Sequence, residues 1–264
     1  SGTAKILYYI YLALTVLETV LLLCGGMPLF DSIVHALGTA GTGGFGIKAD
    51  SIASYSHFCQ WVITVFMLLF GVSFNMYYLL LIKRWREVLK SNELKCYLGI
   101  SLAAMIIVVL SIMPLYGSIA DAVRLSAFQV SSIVTTTGYA TADFDAWPSL
   151  AKAVLLVLMF FGGCMGSTAG GLKMSRVTVL AQIARNDLRH ALRPREVSTV
   201  ILNGRRVDAQ GERQILSYFA LYIAVIGAVF LLISFEPFGI ETNFSATVSC
   251  VNNIGPGFGQ VGPS

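Results

Sequence analysis

Three short clusters rich in glycine and threonine are the residues of this chain best suited to chemistry: TAGTGGFG (39–46), TTTGYAT (135–141) and NNIGPGFG (252–259). None of them sets a nucleophile beside a base or gathers metal ligands. What they offer is backbone. A main chain without β-carbons reaches dihedrals closed to other residues, and its bared carbonyl oxygens can replace the water around a cation. Each cluster ends a mildly apolar run of roughly a dozen residues, too short for the about 20 that a membrane-crossing helix needs. Such a half-helix would turn its C-terminal end, with unpaired carbonyls and partial negative charge, toward the ion. A cation is the expected guest.

A second constellation, GGCMGSTAGGLK (162–173), interrupts what would otherwise be one long span. Gly162, Gly163, Gly166, Gly170 and Gly171 each cost a helix about 1 kcal/mol relative to alanine. Ser167 and Thr168 compete for backbone hydrogen bonds as well, so the helix is expected to break here. A kink or packing site is one reading, and a loop inside the membrane is the other. Lys173, at the end of the stretch, either snorkels to the interface, which is the preferred reading, or presents a charge that repels cations.

Other chemistries fit poorly. Gly41, Gly43 and Gly46 satisfy GxGxxG, but a dinucleotide site needs a preceding strand in a βαβ unit. Gly166 to Lys173 imitates a phosphate loop with the lysine one residue late. Asn243, Phe244 and Ser245 form a sequon short enough for chance. His35, His57 and His190 are scattered and adjoin no triad or metal pattern, so no enzyme is expected. The five cysteines include no CxxC pair and are read as free thiols.

The elements that must position these clusters are membrane helices. The 264 residues are 56% hydrophobic and 12% charged, with mean hydropathy +0.74, outside the soluble range. Candidate spans run over 4–25, 58–82, 97–113, from 150 past 161, and 215–235. Lys83, Arg84, Arg86, Lys90 and Lys95 fill one connection and a series of arginines from Arg176 to Arg213 fills the next. Both are therefore cytoplasmic. The glycine clusters face the other side, near Asp50, Asp143, Asp145, Glu236 and Glu241, which form either a weak acidic rim or merely solvated loop carboxylates. Glu18 is the one acid well inside a span, with snorkelling open to it. Asn203 and Gly204 predict a tight hairpin between EVSTVIL and RRVDAQ. Arg185, Arg189 and Arg193 would share a helix face fit for anionic lipid or a protein partner.

Internal repetition sets the architecture. A shift of 94 residues places Gly44 on Gly138, and a further 117 places Gly138 on Gly255. Repeats in one orientation imply an all-α membrane fold of pseudo-symmetric units, each an outer helix, pore half-helix, glycine loop and inner helix, as in potassium channels. A secondary transporter with discontinuous helices, for sodium or a small solute, is the alternative, and it predicts inverted pairs of breaks.

The order PLFDSIVHALGTAGTGGFG, FQVSSIVTTTGYATADFDAWP, FFGGCMGSTAGGLK and NNIGPGFGQVGPS resembles the TrkH/TrkG/KtrB family of bacterial potassium-uptake proteins over the whole chain. The resemblance implies a selectivity filter at Thr42, Gly43, Gly44, Thr136, Thr137, Gly138, Asn253, Ile254 and Gly255. It makes 162–173 a gate loop beneath that filter. It further implies K+ as the transported ion, a homodimer in the bacterial cytoplasmic (inner) membrane, contact with lipid, and a cytosolic nucleotide-binding regulatory subunit of TrkA/KtrA type. Nucleotide is expected only on that partner, no cofactor is expected to be covalently bound, and no nucleic acid partner is expected. The expected division is 1–90, 91–193 with the broken inner helix, a cytoplasmic hairpin at 194–213, and a partial repeat at 214–264. Against the family's four repeats, the first repeat and the last inner helix are expected to lie outside this sequence.

Overall fold

The computed structural model describes residues 2–193 and 199–263. Among them, eleven α-helices and one two-stranded hairpin follow the order α1 (Gly2–Cys24), α2 (Leu29–Ala40), α3 (His57–Phe70), α4 (Phe74–Leu81), α5 (Trp85–Lys90), α6 (Asn92–Ile112), α7 (Ile119–Val134), α8 (Ser149–Leu158), α9 (Met174–Leu192), β1 (Ile201–Leu202), β2 (Arg205–Arg206), α10 (Ala209–Ile233) and α11 (Ile240–Asn252). The fold is that of an all-α membrane protein with repeated outer helix, half-helix and loop.

Lys5–Cys24, α6 and α10 are long and apolar enough to cross a bilayer. The half-helices α2, α7 and α11 have 12, 16 and 13 residues, about 18–24 Å at 1.5 Å per residue, and stop short of a hydrocarbon core about 30 Å thick. Local sequence sets the starts of α6 and α10. Ser91 accepts from Leu94 N at the head of α6, and Asp208 accepts from Gly211 N at the head of α10.

One expected span is broken. Residues 58–82 do not form a single helix: α3 and α4 meet at 89°. The physical reason is tertiary. A Cβ on Gly71 would lie 2.3 Å from Tyr97 Oη and 2.9 Å from Thr135 Cγ2, while its freed carbonyl accepts from Cys164 N at 2.8 Å. The segment after 150 breaks as expected, ending as α8 at Leu158 and resuming as α9 at Met174.

Large apolar side chains cover the outside, and polar ones share the interior with an apolar core. Leu110, Leu102, Leu221 and Leu231 face outward, as lipid-facing positions do, whereas Ser126, Gln129, Ser131, Ser132 and Thr135 to Thr137 are buried. Helix α7 is the axis of this polar interior. Its Phe128 belongs to the apolar cluster around α3, and its Val130, Ile133 and Val134 to the cluster around α6 and α8.

Candidate functional site

The three glycine loops share one backbone design. Thr42, Thr136 and Asn253 have φ of 49°, 56° and 58°, and two residues later Gly44, Gly138 and Gly255 have φ of 67°, 85° and 113°. Between them Gly43, Thr137 and Ile254 donate back to Gly38, Ser132 and Ser249 carbonyls at 2.8, 2.9 and 2.9 Å. Thr42, Thr136 and Asn253 donate to Thr39, Ile133 and Cys250 at 3.1, 3.0 and 3.2 Å. A left-handed residue at each end of a two-step interval turns successive carbonyls away from the ordinary helical direction. Non-glycine residues rarely take that conformation, so its appearance three times in one register reflects the sequence repeat.

The loops also meet. A Cβ on Gly44 would stand 1.8 Å from Thr137 O, and one on Gly138 would stand 1.9 Å from Ile254 O. Glycine is required at both places because the neighbouring loop's carbonyl occupies the side-chain position. At Gly255 the nearest atom to such a Cβ is Gly138 Cα, 4.0 Å away. Asn253 is exposed, whereas Thr42, Thr136, Thr137 and Ile254 are buried. The C-terminal ends of α2, α7 and α11, with their partial negative charge, thus converge on one place.

Residues 159–173 fold against those loops as a tight return. Gly162 N donates to Leu172 O at 2.9 Å and Met174 N to Gly163 O at 3.1 Å. The two limbs come so close that a Cβ on Gly162 would lie 2.0 Å from Gly170 O. Gly166 and Gly171 turn the chain with φ of 78° and 63°. Outward contacts reach all three glycine loops. Thr42 Oγ1 donates to Thr168 O at 3.0 Å, Gly170 N donates to Thr136 Oγ1 at 2.6 Å, and a Cβ on Gly170 would sit 2.5 Å from Asn252 O. Ser167 stays within the turn, its hydroxyl on Cys164 O at 2.7 Å. The break between α3 and α4 supplies two more ties, Cys164 N to Gly71 O and Phe74 N to Gly166 O at 3.3 Å.

Lys173 departs from the preferred expectation. Its ammonium does not reach toward the interface but donates to Ala169 O and Ser167 O, because the carbonyls bared by the glycine turn need a donor and a charged one is strongest. Glu18 is fully buried beside Thr39 of α2 and does not snorkel. At the opposite face Lys152 Nζ is 2.9 Å from Asp145 and 2.6 Å from Glu241, so two of the five acids are paired. The Lys152 ammonium holds the Asp145 carboxyl below the usual aspartate range.

Tyr139 and Glu93 escaped the sequence reading. Tyr139 is fully buried and donates to His35 O and Phe45 O at 3.2 and 3.4 Å, joining the first two glycine loops. The aromatic after Gly138 was its only trace. Glu93 accepts from Met165 N at 2.5 Å. Nothing local in the sequence distinguishes it from a helix-capping acid in the first turn of α6.

The sequence profile described as TrkH, cation transport protein, matches residues 1–263. The Trk system potassium uptake protein TrkG of Escherichia coli (strain K12) is 31% identical over 273 residues, covering 100% of this chain and 55% of that protein. TrkH of Salmonella typhimurium (strain LT2) is 32% identical over 265 residues, covering 99% of this chain and 55% of its own length. The crystal structure of the potassium transporter TrkH from Vibrio parahaemolyticus superposes with a TM-score of 0.91 at 30% identity, covering 98% of this chain and 57% of that one. The chain spans about half the length of these relatives.

Proposed function

Because this chain belongs to the TrkH family of cation transport proteins, a family of transporters and not of enzymes, we propose that it forms the ion-translocating part of a potassium-uptake system. Thr42, Gly43, Gly44, Thr136, Thr137, Gly138, Asn253, Ile254 and Gly255 form the selectivity filter, where K+ exchanges water for backbone carbonyls. The single observation that carries this reading is the same paired positive-φ geometry in three loops, which two glycine–carbonyl contacts join in series. Three converging half-helix C-termini add the negative end of their dipoles.

Residues 162–173 are the gate. Gly162, Gly163, Gly166, Gly170 and Gly171 give the loop its folded-back shape, Thr168 and Gly170 dock it on the filter, and Ser167 and Lys173 hold it closed. Irregular backbone at this depth is tolerated where protein buries it or it lines a water path. Withdrawal opens the path. The units are 1–90, 91–193 and 214–264, with the hairpin within 194–213. The protein works as a homodimer in the bacterial inner membrane, and a cytosolic nucleotide-binding subunit moves the gate from the arginine-rich face.

Gly138→Ala tests the filter with the smallest side chain, since its Cβ would collide with Ile254 O. Potassium-limited growth and rubidium uptake of a strain lacking other potassium systems are expected to be lost, with protein still recovered from membranes in monodisperse form. Unchanged uptake by such protein would exclude these loops as the ion path.

A further inference from the structure

On the arginine-rich face, the hairpin β1–β2 and the short helices α4 and α5 enclose a cavity of about 580 Å³. Its charged lining is Arg84, Glu87, Arg205 and Arg206, with Asn75 and Asn203 beside them. Glu87 is engaged by Arg84. No carboxylate among the described residues pairs with Arg205 or Arg206. Arg205 and Arg206 both border this concave site, and a guanidinium group matches the oxygens of a phosphate, which arginine holds bidentately. Met76, Leu79, Leu202 and Val207 supply an apolar wall. The site lies on the cytoplasmic side, where both anionic headgroups and soluble phosphates are found.

The cavity is wired to the intramembrane loop. Asn203 Oδ1 accepts from Ser91 Oγ at 2.9 Å and from Glu93 N at 3.4 Å, and the Glu93 carboxylate accepts from Met165 N. The other limb of the hairpin is pinned to α9, the helix that leaves the loop, by Gln182, which donates to Ile201 O at 2.9 Å and accepts from Ile201 N at 3.0 Å. A hairpin drawn inward by a ligand on Arg205 and Arg206 therefore pulls on both ends of the 162–173 return.

We propose that this cavity binds a phosphate-bearing anion through Arg84, Arg205 and Arg206, and that Asn203 and Glu93 transmit its occupancy to the 162–173 loop. The consequence for ion flux rests on the gate reading above, but the binding and its transmission do not.

The test uses the purified protein in nanodiscs of phosphatidylcholine, alone or with phosphatidylglycerol. Pyrophosphate is titrated calorimetrically in the neutral discs, and amide exchange across 162–173 is followed in both. The double variant Arg205→Gln, Arg206→Gln is compared with Arg86→Gln, Lys90→Gln, which removes equal charge outside the cavity. Saturable pyrophosphate binding, weakened roughly ten- to a hundredfold by the first pair and little by the second, supports the site with a soluble anion as its occupant. No pyrophosphate binding, but slower loop exchange with phosphatidylglycerol that only the first pair abolishes, supports the same site filled by a headgroup. Equal responses in both double variants, or no response to either anion, overturn it. Asn203→Gly keeps the turn, whose φ of 49° glycine accepts, and removes the relaying oxygen. Binding retained without loop protection is the expected result, and undiminished protection overturns the transmission. If both hold while flux ignores the loop, the gate reading fails and the site stands.

Discussion

The glycine loops at 41–46, 135–141 and 252–259 and the single return at 159–173 are both irregular, both glycine-rich and in direct contact, yet they differ in how much they lean on their neighbours. Each glycine loop is fixed by its own backbone, with the same two reverse hydrogen bonds to its half-helix and the same pair of left-handed residues. The return also closes on itself, but it is tied from outside as well, by Thr42, Thr136, Gly71 and Glu93, which lie on four separate elements or loops. Local closure resists displacement one loop at a time. Contacts borrowed from several neighbours can be released together when those neighbours move, which suits a low-stability element that opens.

The largest effect should come from the rigid region. Gly44→Ala places a Cβ 1.8 Å from Thr137 O, an overlap that backbone on both sides cannot relieve, and rubidium uptake should vanish. Gly255→Ala meets nothing closer than 4.0 Å and suffers only the strain of φ 113°, about 1–3 kcal/mol. Partial uptake with altered selectivity is expected there. If the two variants behaved alike, the approach of the neighbouring loop's carbonyl would not be what demands glycine at position 44.

Next in size is a change at the seam. Thr136→Val removes the oxygen that receives Gly170 N and leaves a half-buried amide unsatisfied, at up to about 1–3 kcal/mol. Because the amide belongs to the return, the loss should loosen that loop and raise uptake in the absence of any regulatory subunit. Thr136→Ser, which keeps the hydroxyl, should restore control. Unregulated flux in both variants would mean that the threonine acts through its own unusual φ of 56° and not as a tether.

The same contrast explains what could be read from the amino acids. The half-helices and their loops were legible because turn and helix signals are local and recur at fixed spacing, from Leu29–Ala40 to Gly44 as from Ile240–Asn252 to Gly255. The hairpin was legible from Asn203–Gly204 alone, although residues 196–198 of its first limb lie outside the described residues. The disruption at 162–171 was visible in its glycines, but its partners were not. Met165 finds Glu93 across 72 residues and Thr42 finds Thr168 across 126, separations over which composition carries no register. The turn at Gly71 was missed for a related reason. One glycine in an apolar run reads as a tolerated cost of about 1 kcal/mol, until Tyr97 and Cys164 arrive to make a bend the better solution.

The smallest expected effect lies at the outer face, where Lys152 joins Asp145 to Glu241 and so ties the start of α8 to α11. If backbone closure is what holds the glycine loops, this side-chain staple should contribute modestly to stability, below about 1 kcal/mol for a partly exposed pair, and leave ion selectivity alone. The Lys152 ammonium lowers the Asp145 pKa in the folded state, so the unfolded chain takes up the proton more readily. That stabilisation is complete above the ordinary aspartate pKa of about 3.9 and is lost as pH falls through the depressed folded value. Thermal unfolding of the wild type and of Asp145→Asn should therefore differ at neutral pH and converge on acidification. Potassium-over-sodium selectivity, measured alongside at neutral pH, should be the same in both. A selectivity change in Asp145→Asn would show that the glycine loops, too, depend on ties from outside.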